Sequence, residues 1–318
     1  IRDSLPPFRP FFYLYINLVF LFNFSLLPHY ILCFGDLPIL LASPFALFSR
    51  FLRGIVPTPY FISSFRNDPS TLGIVKGNIF ALLMSFFDLS TSNSLSAARL
   101  FNRSPFCFSY VSCLYNPLPA QPPLNSSSIK EKSTAQFKLL SVSRLVPQKN
   151  VSAMITLMAS IKKNISFPIS LFVVGEGPEI APLHRLSQQL DVADCVEFLG
   201  SLDYPSISSL MEECHALLHF SLWDGIPNTV LEALVHYLPI FAYESPHSSL
   251  SDLKVFSPPI HFFNSFDPDS LLTDFRAFLR DSLLDSDCNK RWRDFVRCYT
   301  SSTCLQSFIT SAQGCKST

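Results

Sequence analysis

Glycine is scarce in this sequence, with nine in 318 residues. Four of the nine, Gly175, Gly177, Gly200 and Gly225, fall in one segment. Glycine gathered in that way marks backbone that must turn, or approach closely, where a side chain would interfere. Net charge is lacking as well, because 24 basic residues balance 24 acidic ones. No basic field exists to hold a nucleic-acid backbone, which argues against that partner. Paired cysteines are also missing. The nine (Cys33, Cys107, Cys113, Cys195, Cys214, Cys288, Cys298, Cys304 and Cys315) are odd in number, scattered and without a Cys-x-x-Cys pair. That pattern favours free thiols in a reducing compartment over a disulfide frame or a zinc site. The n-region and small-residue cleavage site of a signal peptide are not found. The first residue is Ile1 rather than Met, and the expectation is of a truncated chain.

Apolar side chains are abundant. They make up 48% of the sequence and include 32 Phe, enough to build a sizeable core in one large or two ordinary domains. From Pro10 to Gly35 there is no formal charge. Residues 11–27 are long enough for a marginal membrane span, but Pro28 interrupts the run and Tyr30–Phe34 reads as a separate buried strand. The expected arrangement is a buried helix followed by that strand. A true span or a helix lying on a membrane surface is the alternative.

Strand and helix patterns then alternate. Residues 37–52 read as a helix closed by Arg50, Arg53 and Gly54. Residues 57–62 read as a strand ending in a polar loop, 63–68, where open α/β sheets bind ligands. Arg66 and Asp68 in that loop are candidate ligand residues, a solvated loop being the other reading. A helix over 76–87, a strand over 88–92, a helix over 95–101 capped by Asn93-Ser94, and a strand over 111–115 complete the first domain, 1–119. Residues 120–134, rich in Pro, Ser and Lys and without periodicity, read as a linker.

The second domain, 135–289, opens with a strand over 137–142. Next come the loop Ser143-Arg144-Leu145-Val146-Pro147-Gln148-Lys149-Asn150 and a helix. Arg144 and Lys149 flank a helix start, and two cations beside free amides suit a diphosphate. Alone this is a weak signal, because basic loop residues are usually just solvated. The continuous apolar run Ile169–Val174 has the character of a parallel strand buried on both faces. It leads into Gly175-Glu176-Gly177-Pro178 and a helix. Val196–Gly200 is the next strand, followed by a helix over 205–213. A buried strand from Ala216 is broken by Gly225-Ile226-Pro227-Asn228, and a helix starts near Asn228. The first amides of such a helix have no partner within it and its dipole end is positive, so it can bind an anion. Asp224 in the turn and Glu232 eight positions later frame this start. On pattern alone, Asn228 as an N-cap and Asp224 as a turn residue is the favoured reading. Asp267-Pro-Asp269 and Asp285-Ser-Asp287 formally fit a metal-binding Asp-x-Asp. They read instead as a helix cap and a polar loop, so no metal is expected. Residues 290–318 look helical.

The stretch from Ser221 to Ile240 resembles the donor-site signature of the retaining glycosyltransferases of family 4. In that signature two acids eight positions apart enclose a Gly-x-Pro-Asn turn, followed by Glu-Ala and a Gly-x-Pro exit. Here Asp224 stands where Glu is usual and Tyr237 where Gly is usual. The Ser143–Asn150 loop resembles the family's Gly-Arg-Leu-x-x-x-Lys-Asn, with Ser143 in place of Gly, and the Gly175–Pro178 turn matches its Gly-x-Gly-Pro. The fold implied is GT-B, an α/β class of two Rossmann-like domains facing a cleft. The first domain would be incomplete, since the glycine-rich loop of its early half is not found, and the C-terminal helix would cross back to it.

The activity implied is transfer of a sugar from a nucleotide diphosphate sugar, of UDP or GDP type, to a glycan or lipid-linked acceptor with retention, in cell-envelope polysaccharide synthesis. No metal or other cofactor is implied. By the resemblance, Arg144 and Lys149 neutralise the departing diphosphate, Asp224 holds hydroxyls of the sugar and Glu232 accepts from the ribose. Gly175, Gly177, Pro178, Leu199, Gly225, Ile226, Pro227, Asn228 and Thr229 line the donor site, and Arg66 and Asp68 are acceptor-side candidates. The protein would be cytoplasmic, with a peripheral contact at the inner face of the membrane. Two other functions stay open. A GT-B epimerase or phosphorylase is one, although no segment suggests the lysine-bound pyridoxal phosphate that a phosphorylase needs. A non-catalytic remnant that only binds nucleotide or a partner is the other.

Overall fold

The computed structural model describes residues 30–55, 58–66, 72–114, 136–256 and 258–284. They divide into two compact units, the first before Asn116 and the second from there on. Residues 11–27, the expected linker 120–134, Asp68 and the expected C-terminal helix 290–318 lie outside the described residues.

The first unit is a four-stranded parallel sheet in the order β1-β2-β3-β4. The strands are β1 (Tyr30–Phe34), β2 (Tyr60–Phe65), β3 (Leu89–Ser92) and β4 (Val111–Cys113), alternating with helices α1 (Asp36–Leu52), α2 (Gly73–Met84) and α3 (Leu95–Asn102). Expected strand β1 is present but is not buried throughout. Among the described residues it pairs on one side only, and Leu32 and Phe34 are about half exposed. The second strand is shifted from 57–62 to Tyr60–Phe65. Pro57 and Pro59 cannot donate to a ladder, while Ser63 and Ser64, expected in a loop, are buried. Ser63 Oγ meets Ser90 Oγ of β3 at 2.8 Å, which lets a hydroxyl pass for a core group. Helix α3 starts at the expected cap, Ser94, whose Oγ accepts from Ala97 N at 3.2 Å. The carboxylate of Asp88 bridges three elements. It binds both terminal nitrogens of Arg53 and accepts from Phe61 N at 2.8 Å, and Arg53 stacks on the Tyr60 ring at 4.1 Å.

The second unit is a six-stranded parallel sheet in the order β12-β10-β8-β5-β6-β7. In chain order it runs β5 (Phe137–Val142), α4 (Val151–Asn164), β6 (Ile169–Val174), α5 (Ile180–Gln189), β7 (Val196–Gly200), α6 (Tyr204–Glu213) and β8 (Ala216–His219). After β9 (Trp223–Asp224) and α7 (Asn228–Val235) come β10 (Ile240–Tyr243), β11 (His247–Ser248), a 3-10 stretch at Ser249–Phe256, β12 (Ile260–Phe263) and α8 (Pro268–Leu284). The first three strands build outward from β5 in one direction and the next three in the other, which is the doubly wound arrangement with its switch point between β5 and β8. The phenylalanines make one side of this core. Phe220, Phe241, Phe263 and Phe275 are fully buried, with Phe241 and Phe263 stacked at 4.6 Å. Each such ring contributes about 1.5–3 kcal/mol on burial. Asp267 is the cap at the start of α8, accepting from Ser270 N at 3.1 Å. The β9–β11 ribbon and the 3-10 stretch were not foreseen.

Candidate functional site

The switch point sets where the site lies. The chain leaves β5 and β8 in opposite directions, so the loops after them open a crevice at the carboxyl ends of the strands. Those loops are Ser143–Asn150 and Phe220–Pro227, the segments singled out in the sequence. They are tied together directly. Leu222 N donates to Gln148 O at 2.8 Å, Gln148 Nε2 donates to Trp223 O at 2.6 Å, and Lys149 Nζ pairs with Asp224 Oδ2. The ribbon β9–β11 holds the second loop from its other side, pairing Asp224 with Ser248, while Ser245 Oγ donates to Leu222 O.

Each cation has its own setting. Lys149 ends the short 3-10 turn Pro147–Lys149. Asn150 follows at φ 50°, a left-handed conformation that Asn tolerates, and it turns the chain into α4. With side chains only 14% and 21% exposed, Lys149 and Asp224 form a pair shielded enough to interact more strongly than a surface ion pair. Arg144 is exposed, and its side chain has no hydrogen-bond or ion-pair partner among the described residues.

The glycine turn after β6 backs onto the first of these loops. Gly175 has φ 130°, and a Cβ there would collide with the carbonyl oxygen of Ser143. A Cβ on Gly177 would collide with that of Leu145. Hydrogen bonds fill the same gap: Ser143 N to Val174 O at 3.0 Å, Leu145 N to Glu176 O at 2.8 Å and Gly175 N to Gly200 O at 2.7 Å. The two glycines therefore let the loops after β5 and β6 close on one another, and the end of β7, with Leu199, is joined to them through Gly200. Pro178 lies in the same turn, ahead of α5.

Helix α7 supplies the anion-binding end. Gly225, Ile226 and Pro227 connect β9 to it, Pro227 is its extended cap residue, and Asn228 and Thr229 open it. Asn228 is thus inside the helix rather than its cap, and the first-turn amides face outward without helical partners. Glu232 sits on the same helix, half buried, its carboxylate without a hydrogen-bond or ion-pair partner among the described residues. Burial pushes its carboxyl above the usual range. Its charge is felt by Tyr204 at the start of α6, whose phenol is raised by burial first and by Glu232 second.

Arg144, Lys149, Asp224 and the opening of α7 are thus gathered around one switch point. Arg66 belongs to the first unit, with its guanidinium over the Phe34 ring at 5.1 Å. Two groups at this switch point were missed by sequence reasoning. His219 closes β8 and is buried, and Gln148 ties the loops. A histidine ending an otherwise apolar strand was the available signal for the first.

Comparisons with known proteins bear on the family and the fold. Residues 125–294 match the family described as Glycosyl transferases group 1. The alpha-monoglucosyldiacylglycerol synthase of Streptococcus pneumoniae is 28% identical over 109 residues, 34% of this chain and 24% of that protein. The chain spans about a quarter of the length of the curated relatives it matches. Among solved structures, Anabaena HepE in complex with UDP and glucose is similar over 98% of this chain and 84% of that one, with a TM-score of 0.73 and 15% identity. A sucrose-phosphate synthase from Thermosynechococcus elongatus is similar over 99% and 81%, with a TM-score of 0.74 and 14% identity.

Proposed function

From its membership of the group 1 glycosyltransferases, the family to which this chain belongs, and from its GT-B α/β fold, we propose that it is a retaining glycosyltransferase. It moves a hexose from a nucleotide diphosphate sugar to a glycan or lipid-linked acceptor. The observation that carries this reading is the convergence at the switch point of the second unit. There a paired lysine, an exposed arginine and the opening of α7 lie on the loops that follow the two strands of the reversal, where doubly wound sheets bind ligands.

In this reading Arg144 and Lys149, with the amides of Asn228 and Thr229, stabilise the negative charge that grows on the departing diphosphate. Lys149 enters compensated by Asp224, so a bound diphosphate shares that cation. Asp224 is then in place to hold sugar hydroxyls beside the phosphate. Glu232 accepts from ribose hydroxyls. Its raised carboxyl favours a hydrogen-bonded role over a free charge.

The test is calorimetric titration with UDP, GDP and ADP, beside a Glu232→Ala control, followed by a transfer assay with the sugar of whichever nucleotide binds. Micromolar binding of one nucleotide, lost in the control, is expected. Arg144→Ala and Lys149→Ala should each lower transfer by about 10²–10³-fold, the range for removing one transition-state donor. Unchanged transfer in both would remove the assigned roles. A folded protein that binds no nucleotide would point to the non-catalytic reading.

A lipid-linked acceptor and a place at the inner face of the membrane are supported by helix α1. Leu37, Leu40, Leu47, Phe48 and Phe51 lie on its exposed side, at the spacing of one helical stripe. Ile39, Ala42 and Ala46 lie on its buried side. No helix among the described residues is long and apolar enough to cross a membrane, so the contact proposed is peripheral. Loss of binding to anionic phospholipid vesicles in a Phe48→Ser, Phe51→Ser variant is the expected result; undiminished binding would exclude this face.

A further inference from the structure

Strand β8 runs up to the switch point and ends in a histidine whose ring is left without a partner. His219 is 7% exposed, and its Nε2 is buried with no hydrogen bond. Its register opposite Ala242 of β10 fixes it at the carboxyl end of the sheet. Asp224 and Lys149 are its charged neighbours, since both act on its imidazole. On the other strand of the switch point, Ser143 is the first residue beyond β5, and its Oγ is likewise buried and unpartnered. Native proteins rarely leave such atoms unsatisfied, and each instance calls for an explanation. Of the ten such side-chain atoms among the described residues, these two lie on the two strands that flank one crevice.

We infer that His219 is a specificity residue of the donor site, hydrogen-bonding a hydroxyl of the transferred sugar through Nε2, with Ser143 Oγ serving a second hydroxyl from the opposite strand. The inference rests on the donor-site reading given above and names His219, which lies outside the motif, and a hydroxyl at Ser143 that the motif's glycine lacks. The chemistry favours a hydroxyl over a phosphate. Burial pushes the imidazole down to about 4 even though Asp224 pulls it upward, so at neutral pH the ring is uncharged. A neutral imidazole offers one donor and one acceptor, which matches a hydroxyl that can give and take. Phosphate oxygens, which only accept, are left to Arg144, Lys149 and the helix amides. A buried group of this kind discriminates between sugars differing at one hydroxyl, because the wrong epimer leaves it unpaired.

The experiment titrates wild type, His219→Leu and His219→Gln with UDP, GDP and ADP, and with the glucose and galactose derivatives of each. The Leu variant should bind the bare nucleotide within about 2-fold of wild type and lose about 10-fold on the preferred nucleotide sugar. The Gln variant, which keeps a donor and an acceptor, should recover part of that loss. A purely packing role would weaken nucleotide and nucleotide sugar together, and that outcome overturns the inference, as does unchanged sugar affinity in both variants. If the Leu variant does not fold, the Gln variant decides. A changed glucose-to-galactose preference at constant nucleotide affinity is expected, and an unchanged preference refutes the role. Wild type that binds none of the nucleotides or sugars defeats the donor-site reading itself, and the inference with it, which is a different failure from a variant that binds as wild type does.

Discussion

The two units are built from the same alternation of strand and helix, and they use it differently. The described strands of the first follow one another in sequence order across the sheet. Those of the second reverse at β5 and β8, and every charged candidate that the structure brings together sits at that reversal. A parallel sheet that progresses in one direction covers the carboxyl ends of its strands with successive crossovers. A reversal pulls two crossovers apart and leaves a crevice. Topology, more than residue chemistry, therefore decides which unit opens such a crevice.

The difference extends to what holds each unit together. Both pack buried phenylalanines, the second around Phe241 and the first at Phe61, Phe65, Phe87 and Phe101, but the first also leaves Leu32, Phe34, Leu40 and Phe51 substantially exposed and adds a polar lock. In that lock Asp88, with a side chain 6% exposed, is bound by Arg53 and by the Phe61 amide. Removing one partner of such a pair leaves the other charge uncompensated, at a cost of about 3 kcal/mol or more. Asp88→Ala should therefore lower the calorimetric unfolding transition of the first unit and leave nucleotide affinity, a property of the second, unchanged. Equal loss of both would break the comparison, by showing that the lock supports the site as well.

A smaller effect sharpens the contrast from the other side, because the second unit gives up stability to hold its site. His219 has an ordinary value of 6.5 that burial, opposed by Asp224 and aided by Lys149, takes down to about 4. As pH falls below 6.5 the unfolded chain takes up a proton that the folded chain refuses. Stability is thus intact above 6.5 and drains away down to about 4, by about 3 kcal/mol in all. In urea unfolding at pH 7 and pH 4, wild type should lose that much more than His219→Leu, a comparison in which the other titrating groups cancel. An equal fall in both proteins would show that the ring titrates normally and is not held apart from water.

How much of this was legible in the sequence follows from where the signals were local. The strand Ile169–Val174 could be read to the residue because a parallel strand buried on both faces is one apolar run, and Val196–Gly200, a partly exposed edge strand, was placed by its likeness to the family's strand. The loop at Ser143–Asn150 and the turn at Gly225–Asn228 were legible because glycine, proline and paired charges mark them. The pairing of Lys149 with Asp224 was not, since it joins residues 75 apart through strand order, which no local pattern encodes. Gly175 and Gly177 drew attention as ligand-side residues, yet their lack of a side chain is explained by the carbonyls of Ser143 and Leu145 behind them. Ser63 and Ser64 were misplaced in a loop because polarity was taken for exposure, when both are buried and the hydroxyl of Ser63 is satisfied inside the sheet by that of Ser90. The short ribbon Trp223–Asp224 with His247–Ser248 has too few residues to show a period.

Tyr237 gives the finest test of the contrast. It stands where the resembling motif has glycine, and the structure supplies the reason for that glycine. Tyr237 has φ 54°, its amide donates to Leu234 O at 3.2 Å, and Leu238 N donates to Ala233 O at 3.0 Å. These are the two bonds of a Schellman ending on α7, whose left-handed position glycine fills without penalty. A tyrosine there costs about 1 kcal/mol, whereas Asn150 and Asp191, the other described non-glycine residues at positive φ, are types that tolerate it. Tyr237→Gly should raise stability by up to about 1 kcal/mol in urea unfolding, leaving nucleotide affinity unchanged. A gain in stability with a loss of affinity would mean that the strained ending of α7 is part of what aims its opening amides and Glu232. The second unit would then hold its site by backbone strain as well as by strand order, a device with no counterpart among the described residues of the first, whose positive φ values fall on glycine alone.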